Sequence, residues 1–240
     1  MEVIHGWLMA EYDPRVESLQ NLVRPNRRLV VFFHENAGNL GLRLDYFSTL
    51  YHKNDCDILA IAYRGYSSSS GIPSEEGLKL DAEAVMEFVD RDLVDFYKNN
   101  GGVFVVGRSL GGAVAAAVIS RLPEDKLAKI DGLVLENTFT SIPDMADQLF
   151  SVLAYFKGMV LTNYWLTIDL VPHIELPILY VTGDQDEIVP TEHTHRLQQA
   201  SVKARHTTTW VNKGGSHNDT WFSKQKEYLE ALDKFMTDQH

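Results

Sequence analysis

Of 240 residues only one is a cysteine, Cys56. No intrachain disulfide can form, so the chain is not a cross-linked secreted scaffold. Cys56 stands between Asp55 and Asp57, whose charges oppose a thiolate, and it reads as a packing residue. No stretch approaches about 18 consecutive apolar residues, the length a spanning helix needs. The start, Met1 to His5, lacks the basic opening and apolar centre of a secretion signal. Positive charge is scarce as well: 22 Lys and Arg face 33 Asp and Glu, a net charge of −11. That balance argues against a nucleic-acid partner and against electrostatic docking on an anionic bilayer. No Gly-x-Gly-x-x-Gly follows a strand, so no nucleotide cofactor is expected. His193 and His195 sit two apart at a helix start, where side chains diverge, so no metal site is expected either.

What remains is an ordinary globular composition, 45% hydrophobic, at a length that suits one α/β domain over residues 1–240. Short apolar runs recur at Leu29–Phe33, Ile58–Ala62, Val103–Val106, Leu133–Leu135 and Ile178–Val181. Apolar on consecutive positions, they read as strands buried on both faces of a parallel sheet. Thr207–Val211 is more polar and reads as an edge strand. Between the runs lie helical patterns. One opens at Ser74 behind Pro73 and places Leu78, Ala82, Val85, Met86 and Val89 on one face, reaching Tyr97. Another spans Leu110 to Leu122, and a closing helix is expected over His217 to Phe235. The alternation gives a doubly wound, mostly parallel sheet with helices on both faces. Ser67 to Gly71 reads as a flexible turn.

Residues 141–172 break the alternation. They carry large apolar side chains, among them Ile142, Met145, Leu149, Phe150, Leu153, Phe156, Met159 and Trp165, and no strand signal. The segment is too long for a strand–helix loop. It reads as an inserted helical lid, with a single crossover helix as the plain alternative.

Gly107-Arg108-Ser109-Leu110-Gly111 matches Gly-x-Ser-x-Gly. The pattern gains meaning from its setting, a strand before it and a small-residue helix after it. A nucleophile elbow needs that strand–turn–helix junction. The acid and histidine of such a site follow in chain order. Asp186 lies in Gly183-Asp184-Gln185-Asp186-Glu187 beyond a strand, and His217 in Gly214-Gly215-Ser216-His217 before the last helix. Asp184 is a competing acid, and Glu187 another. A serine hydroxyl is a weak nucleophile until a histidine removes its proton, and the acid fixes the imidazole tautomer. The backbone N–H groups of Leu110 and of Asn36, after the first strong strand, are the expected oxyanion-hole donors. Phe139, Ile142, Met145, Leu149 and Phe150 are the candidate substrate-binding residues.

The chain resembles an α/β-hydrolase family, that of alpha/beta hydrolase domain-containing protein 13 and the bud-emergence-46-like proteins. The resemblance rests on His5-Gly6-Trp7, Asn36-Ala37-Gly38-Asn39, Tyr63-Arg64-Gly65-Tyr66 and Pro73 to Leu78 with Asp81. It extends through Gly107 to Ala115, Glu136-Asn137-Thr138-Phe139, Ser141-Ile142-Pro143 and His217 to Trp221. It implies the α/β-hydrolase fold, serine hydrolase activity, the triad Ser109, Asp186 and His217, and acyl thioesters such as S-palmitoyl groups as a substrate class. The expected reaction is cleavage of an acyl ester or thioester, on a small molecule or a protein, without a cofactor. Peptide cleavage of the prolyl-oligopeptidase-like kind and a non-catalytic binding module are the alternatives. Members of the family carry an N-terminal membrane helix and early strands that this chain does not show. The expected location is intracellular rather than secreted, cytoplasmic or membrane-associated, with association open through an anchor or an acyl substrate.

The family's His-Gly-Asn reads His34-Glu35-Asn36 here. A carboxylate about 6 Å from a developing oxyanion would oppose it by about 3 kcal/mol at an effective dielectric near 20. Glu35 is therefore expected to turn away, towards solvent or a cation, with Arg64 and Arg108 the candidates by motif position.

Overall fold

A computed structural model of the chain describes residues 2–10, 26–148 and 163–239. Runs of Leu, Ile, Val and Phe with no polar face must be covered on both sides, and they assemble into one sheet. Its strands are β1 (His5–Met9), β2 (Arg28–Phe33), β3 (Cys56–Ala62), β4 (Val103–Arg108), β5 (Gly132–Glu136), β6 (Ile178–Gly183) and β7 (Thr207–Asn212). Their order is β1-β3-β2-β4-β5-β6-β7. All neighbours pair in parallel except β1, which runs antiparallel to β3. This is the expected doubly wound α/β-hydrolase sheet, with the polar run as β7 at one edge.

Among the described residues the α-helices are α1 (Leu44–Lys53), α2 (Glu75–Phe88), α3 (Val94–Lys98), α4 (Leu110–Arg121), α5 (Glu124–Leu127), α6 (Ile142–Gln148), α7 (Thr167–Leu170), α8 (Thr191–Ala200) and α9 (Gln225–Thr237). Alternation along β2 separates two cores. Leu29, Val31 and Phe33 pack with α2, α4 and α8 through Leu78, Ala82, Val114 and Leu197. Val30 and Phe32 face the other way, onto Phe47 and Leu50 of α1 and Tyr228, Leu232 and Phe235 of α9. The expected helix from Ser74 is α2 and α3 joined by a π-helical turn, Val89–Leu93. Ser74 caps it by accepting a 3.1 Å bond from the Gly77 N–H.

Three readings change. His5–Met9, read from the sequence only as part of the resemblance, is an edge strand, β1. The serine run is a fastener rather than a flexible turn: buried Ser69 donates to the Ala62 carbonyl at 2.6 Å and accepts from the His5 N–H at 2.9 Å. The last helix starts at Gln225, not His217. Residues 216–223 instead bond locally, with Asp219 Oδ1 accepting from Ser216 N–H and its carbonyl accepting from Phe222 and Ser223. Short polar side chains of this kind compete with helix.

Of the proposed lid, α6, α7 and the flanking chain lie within the described residues. Leu149, Phe150, Leu153, Phe156 and Met159 lie outside them. The two described arms are tied together, Ile142 N–H to Tyr164 O at 2.9 Å and Ile168 N–H to Thr140 O at 2.9 Å. Glu75 at the start of α2 accepts the N–H groups of Tyr164 at 2.6 Å and Trp165 at 3.1 Å. No helix among the described residues is long and apolar enough to cross a membrane.

Candidate active site

The chain leaves β2 for β3 on one side, then returns to β4 and proceeds outward on the other side. That reversal opens a crevice at the carboxyl ends of β2 and β4, the usual ligand position of an open α/β sheet. Registers Phe33↔Gly107, Arg108↔Glu136, Glu136↔Val181 and Gly183↔Asn212 bring the carboxyl ends of five strands, β2 and β4 to β7, to this end.

Ser109 is the single residue between β4 and α4, with φ 53° and ψ −118°. A left-handed φ is uncommon outside glycine and stores strain, typically of order 1–3 kcal/mol. Its neighbours explain how the turn closes. A Cβ on Gly107 would collide with the backbone of Gly111, and one on Gly111 with the Phe33 carbonyl. The Ser109 N–H donates to Glu136 O at 2.8 Å, and its carbonyl accepts from Thr138 Oγ1 at 2.8 Å. Ser109 is half-buried.

Asp186 and His217 meet, with Asp186 Oδ2 2.7 Å from His217 Nδ1. A carboxylate only accepts, so Nδ1 carries the proton and Nε2 is left with a lone pair. The other oxygen, Oδ1, accepts the N–H groups of Ile188 at 2.9 Å and Val189 at 2.7 Å, which fixes the carboxylate. Both side chains are buried. Asp184, the competing acid, is exposed and accepts the Gly214 N–H at 2.6 Å. Glu187 accepts the backbone N–H of His217 at 3.3 Å. The histidine loop is held from below too, the His217 carbonyl accepting from Arg108 Nη2 at 2.6 Å and Asn137 Nδ2 at 3.0 Å.

Leu110 opens α4, where a backbone N–H has no carbonyl of the helix to bond, and Gly112 two residues on already bonds the Ser109 carbonyl at 3.0 Å. Asn36 lies three residues past β2, half-exposed, with its side-chain oxygen accepting from Tyr66 OH at 2.7 Å. His34 Nδ1 lies 2.6 Å from the Glu35 carbonyl, an acceptor only, so Nδ1 is the donor. Burial, reinforced by the charge of Arg43, pushes His34 down to about 4 and keeps it neutral.

Glu35 is buried and ion-paired with Arg43, and its Oε1 lies 3.6 Å from Arg108 Nη1. Of the two cations expected from the motifs, Arg108 is present and Arg64 is not. Arg64 gives its backbone N–H, Nε and Nη2 to Asp81 at 2.7–3.0 Å. Burial and then the charge of Arg108 lower Arg43 to about 10, so it stays a cation at neutral pH.

Phe139 and Met145 are buried in the core cluster that contains Leu110, and Ile142 packs half-buried against it. Leu149 and Phe150 lie outside the described residues. His193 is buried, with Nδ1 accepting from the Thr140 N–H at 3.2 Å. Among the described residues no three His, Cys, Asp or Glu side chains gather as a metal would require. Cys56 is buried in the core, where burial pushes its thiol up to about 12.

Sequence reasoning missed Arg43, Asn137, Thr138 and Tyr66 as supports of these loops. Asn137, Thr138 and Tyr66 stood out only within the strings Glu136-Asn137-Thr138-Phe139 and Tyr63-Arg64-Gly65-Tyr66, with no role attached, and Arg43 did not stand out at all.

Residues 24–172 match the family model described as serine aminopeptidase, S33. The chain is 36% identical to alpha/beta hydrolase domain-containing protein WAV2 of Arabidopsis thaliana, across 95% of this chain and 78% of that protein. It is 36% identical to protein bem46 of Schizosaccharomyces pombe, across 72% of this chain and 56% of that one. It is 28% identical to lysophosphatidylserine lipase ABHD12 of Macaca fascicularis, across 78% of this chain and 48% of that one. Among solved structures, Est1E from Butyrivibrio proteoclasticus with bound ferulic acid superposes with a TM-score of 0.72 at 18% identity, over 98% of this chain and 95% of that one, a likeness of fold.

Proposed function

The chain belongs to the α/β-hydrolase family of serine aminopeptidase S33 type that includes WAV2 and bem46, and on that premise we propose that it is a serine hydrolase of acyl esters or thioesters. The observation that carries the reading is the 2.7 Å bond from His217 to Asp186, at the end of the sheet where Ser109 stands in a left-handed turn.

In this reading Ser109 Oγ attacks the acyl carbonyl while His217 Nε2 accepts the hydroxyl proton. Asp186 holds the Nδ1–H and steadies the imidazolium that forms. The backbone N–H groups of Leu110 and Asn36 receive the tetrahedral oxyanion. His217 returns the proton to the leaving alcohol or thiol, and the carbonyl re-forms as an acyl-Ser109 ester. Water, deprotonated by His217, then attacks that ester, and collapse releases the acid and the serine. No cofactor enters.

Phe139, Ile142 and Met145 supply an apolar wall, which favours an acyl chain over a polar substituent. The lipase relative, a lysophosphatidylserine lipase by name, supports a lipid or lipidated substrate; S-palmitoyl thioesters are the finer proposal. Peptide cleavage has the family description behind it, but an aminopeptidase needs an uncompensated carboxylate for the substrate ammonium. The two buried acids that flank the elbow, Glu35 and Glu136, are paired with arginine and so do not supply it.

The test is turnover of p-nitrophenyl esters from acetyl to palmitoyl, beside a palmitoyl-thioester peptide and an aminoacyl anilide. Each methylene that enters an apolar pocket contributes about 0.8 kcal/mol, so kcat/KM should climb with chain length while the pocket lasts. A steady fall from acetyl upward would remove the acyl-chain reading, and cleavage of the anilide alone would replace it with the peptidase.

A further inference from the structure

We infer that Arg108 is a positioning residue that sets His217 against Ser109 by holding the histidine's backbone, with Glu35 and Glu136 orienting its guanidinium. The inference rests on the serine hydrolase reading of the site and names what aligns it.

Arg108 is the last residue of β4 and the direct neighbour of Ser109. Its side chain is 3% exposed. Nη2 donates to the His217 carbonyl at 2.6 Å, a charge-assisted bond to the loop that carries the imidazole. Nη1 lies 3.6 Å from Oε1 of Glu35, the residue before Asn36. Nε lies 3.4 Å from Oε1 of Glu136, whose carbonyl accepts the Ser109 N–H. One planar guanidinium thus touches the loop after β2, the last residue of β5 and the loop after β7, while its own backbone leads into the elbow. These are the segments that carry the oxyanion donor, the nucleophile's anchor and the base.

The surrounding charges fix where that plane lies. Arg43 pairs with the same Glu35 oxygen, Oε1, that Nη1 of Arg108 approaches. Tyr228 OH of α9 donates to Glu136 Oε2 at 2.8 Å and meets Tyr46 OH of α1 at 2.7 Å. Two arginines and two carboxylates leave the cluster neutral, which makes its burial tolerable. Charge neutrality alone does not account for the geometry. An apolar replacement of a buried ion pair is often as stable or more so, so stability gives little reason to keep this one. The shortest bond Arg108 makes is to the catalytic loop, not to either carboxylate. Glu35, where the family pattern has glycine, has a place here as the acid that anchors Nη1 on the side of Asn36.

Lysine cannot repeat this. Its ammonium is a point charge with three donors and cannot serve three segments from one plane. R108K keeps the charge and loses the fork. The double variant R108M/E136Q removes one cation and one anion together, so Arg43 and Glu35 remain as a balanced pair. R27K is the control, because Arg27 is an equally buried arginine at the other end of the sheet.

The experiment measures kcat, KM and Tm for these variants, with the low-field proton resonance of His217 Nδ1–H shared with Asp186. In R108K kcat should fall about 10- to 100-fold with KM within about twofold, since displacement by about 1 Å costs that order of rate. The resonance should move or broaden, and Tm should fall no further than in R27K. R108M/E136Q should fold and keep the low kcat. A wild-type kcat and resonance in R108K would overturn the inference. So would recovery of kcat to within about threefold in R108M/E136Q, which would make Arg108 a charge balance only. If the wild type hydrolyses no ester, thioester or anilide, the hydrolase reading fails by itself; the resonance still decides whether Arg108 sets the imidazole.

Discussion

Two arginines lie buried at opposite ends of the same sheet, and they are held differently. Arg27, at the amino end of β2, has every guanidinium nitrogen committed. Nε donates to Asp57 Oδ1 at 2.6 Å, Nη2 to the carbonyls of Cys56 at 2.7 Å and Tyr51 at 3.2 Å, and Nη1 to Asp55 at 3.5 Å. Tyr97 OH completes Asp57 at 2.7 Å, and the guanidinium stacks on Tyr51. Arg108, at the carboxyl end of β4, makes one short bond, to His217, and meets its two carboxylates only at 3.4 and 3.6 Å. Its Nε and Glu136 Oε1 fall short of a hydrogen bond. Buried polar groups are normally satisfied, and exceptions need a reason. At the amino end the arrangement serves the fold. At the carboxyl end satisfaction is given up where the loops must stand in one geometry around Ser109, as expected where local rules yield to a site.

The sharpest way to break the comparison is to disable the chemistry and leave the fold. Ser109→Ala and His217→Ala should each lower kcat by about 10⁴-fold or more with Tm nearly unchanged, and the double variant should be hardly worse than either. Losses that multiply in the double variant would mean the two residues do not act as a unit. Asp186→Asn should cost on the order of 10⁴ in kcat through the wrong imidazole tautomer. Asp184→Asn should cost less than about tenfold, because Asp184 bonds Gly214 and not His217.

The amino end should respond in the opposite sense. Arg27→Met strands the buried Asp57 and should cost about 3–5 kcal/mol of unfolding free energy, with kcat per folded molecule unchanged. Urea unfolding beside ester turnover reads both.

The strand core was legible because Leu29–Phe33, Ile58–Ala62 and Val103–Val106 are apolar on consecutive positions, a pattern that only a doubly covered sheet accepts. Ser109 and the order of Asp186 and His217 were legible because an elbow and two strand-end loops leave short, Gly-rich strings. The charge partners were not. Arg43 reaches Glu35 only because Leu40–Arg43 winds into a 3₁₀ turn, which no periodicity announces. Arg64 was drawn off by Asp81 of α2, in a space that a Cβ on Gly77 would have filled. The start of α9 was misread because Ser216, Asp219 and Thr220 bond locally in place of a first helical turn.

Two smaller effects sharpen the contrast. His34 is buried beside the oxyanion loop and titrates near 4 in the folded chain, below its ordinary 6.5. The unfolded chain therefore takes up the proton first. Stability should fall as pH drops from about 6.5 towards 4, by up to roughly 3 kcal/mol, and His34→Asn should flatten that part of the profile. Tm measured against pH decides it. Glu35→Gln should change kcat/KM for a neutral ester by less than about tenfold, under roughly 1.4 kcal/mol, because it loosens one anchor of Arg108 and leaves the bond to His217. A gain of a hundredfold would mean that the carboxylate faces the oxyanion hole after all.

The most direct measurement is intact-mass spectrometry after exposure to a fluorophosphonate, with the adduct mapped by peptide digestion. One adduct per chain, on Ser109, absent in Ser109→Ala and slowed sharply in His217→Ala, is the predicted result. No adduct, or one on another residue, would contradict the assignment of Ser109 as the nucleophile.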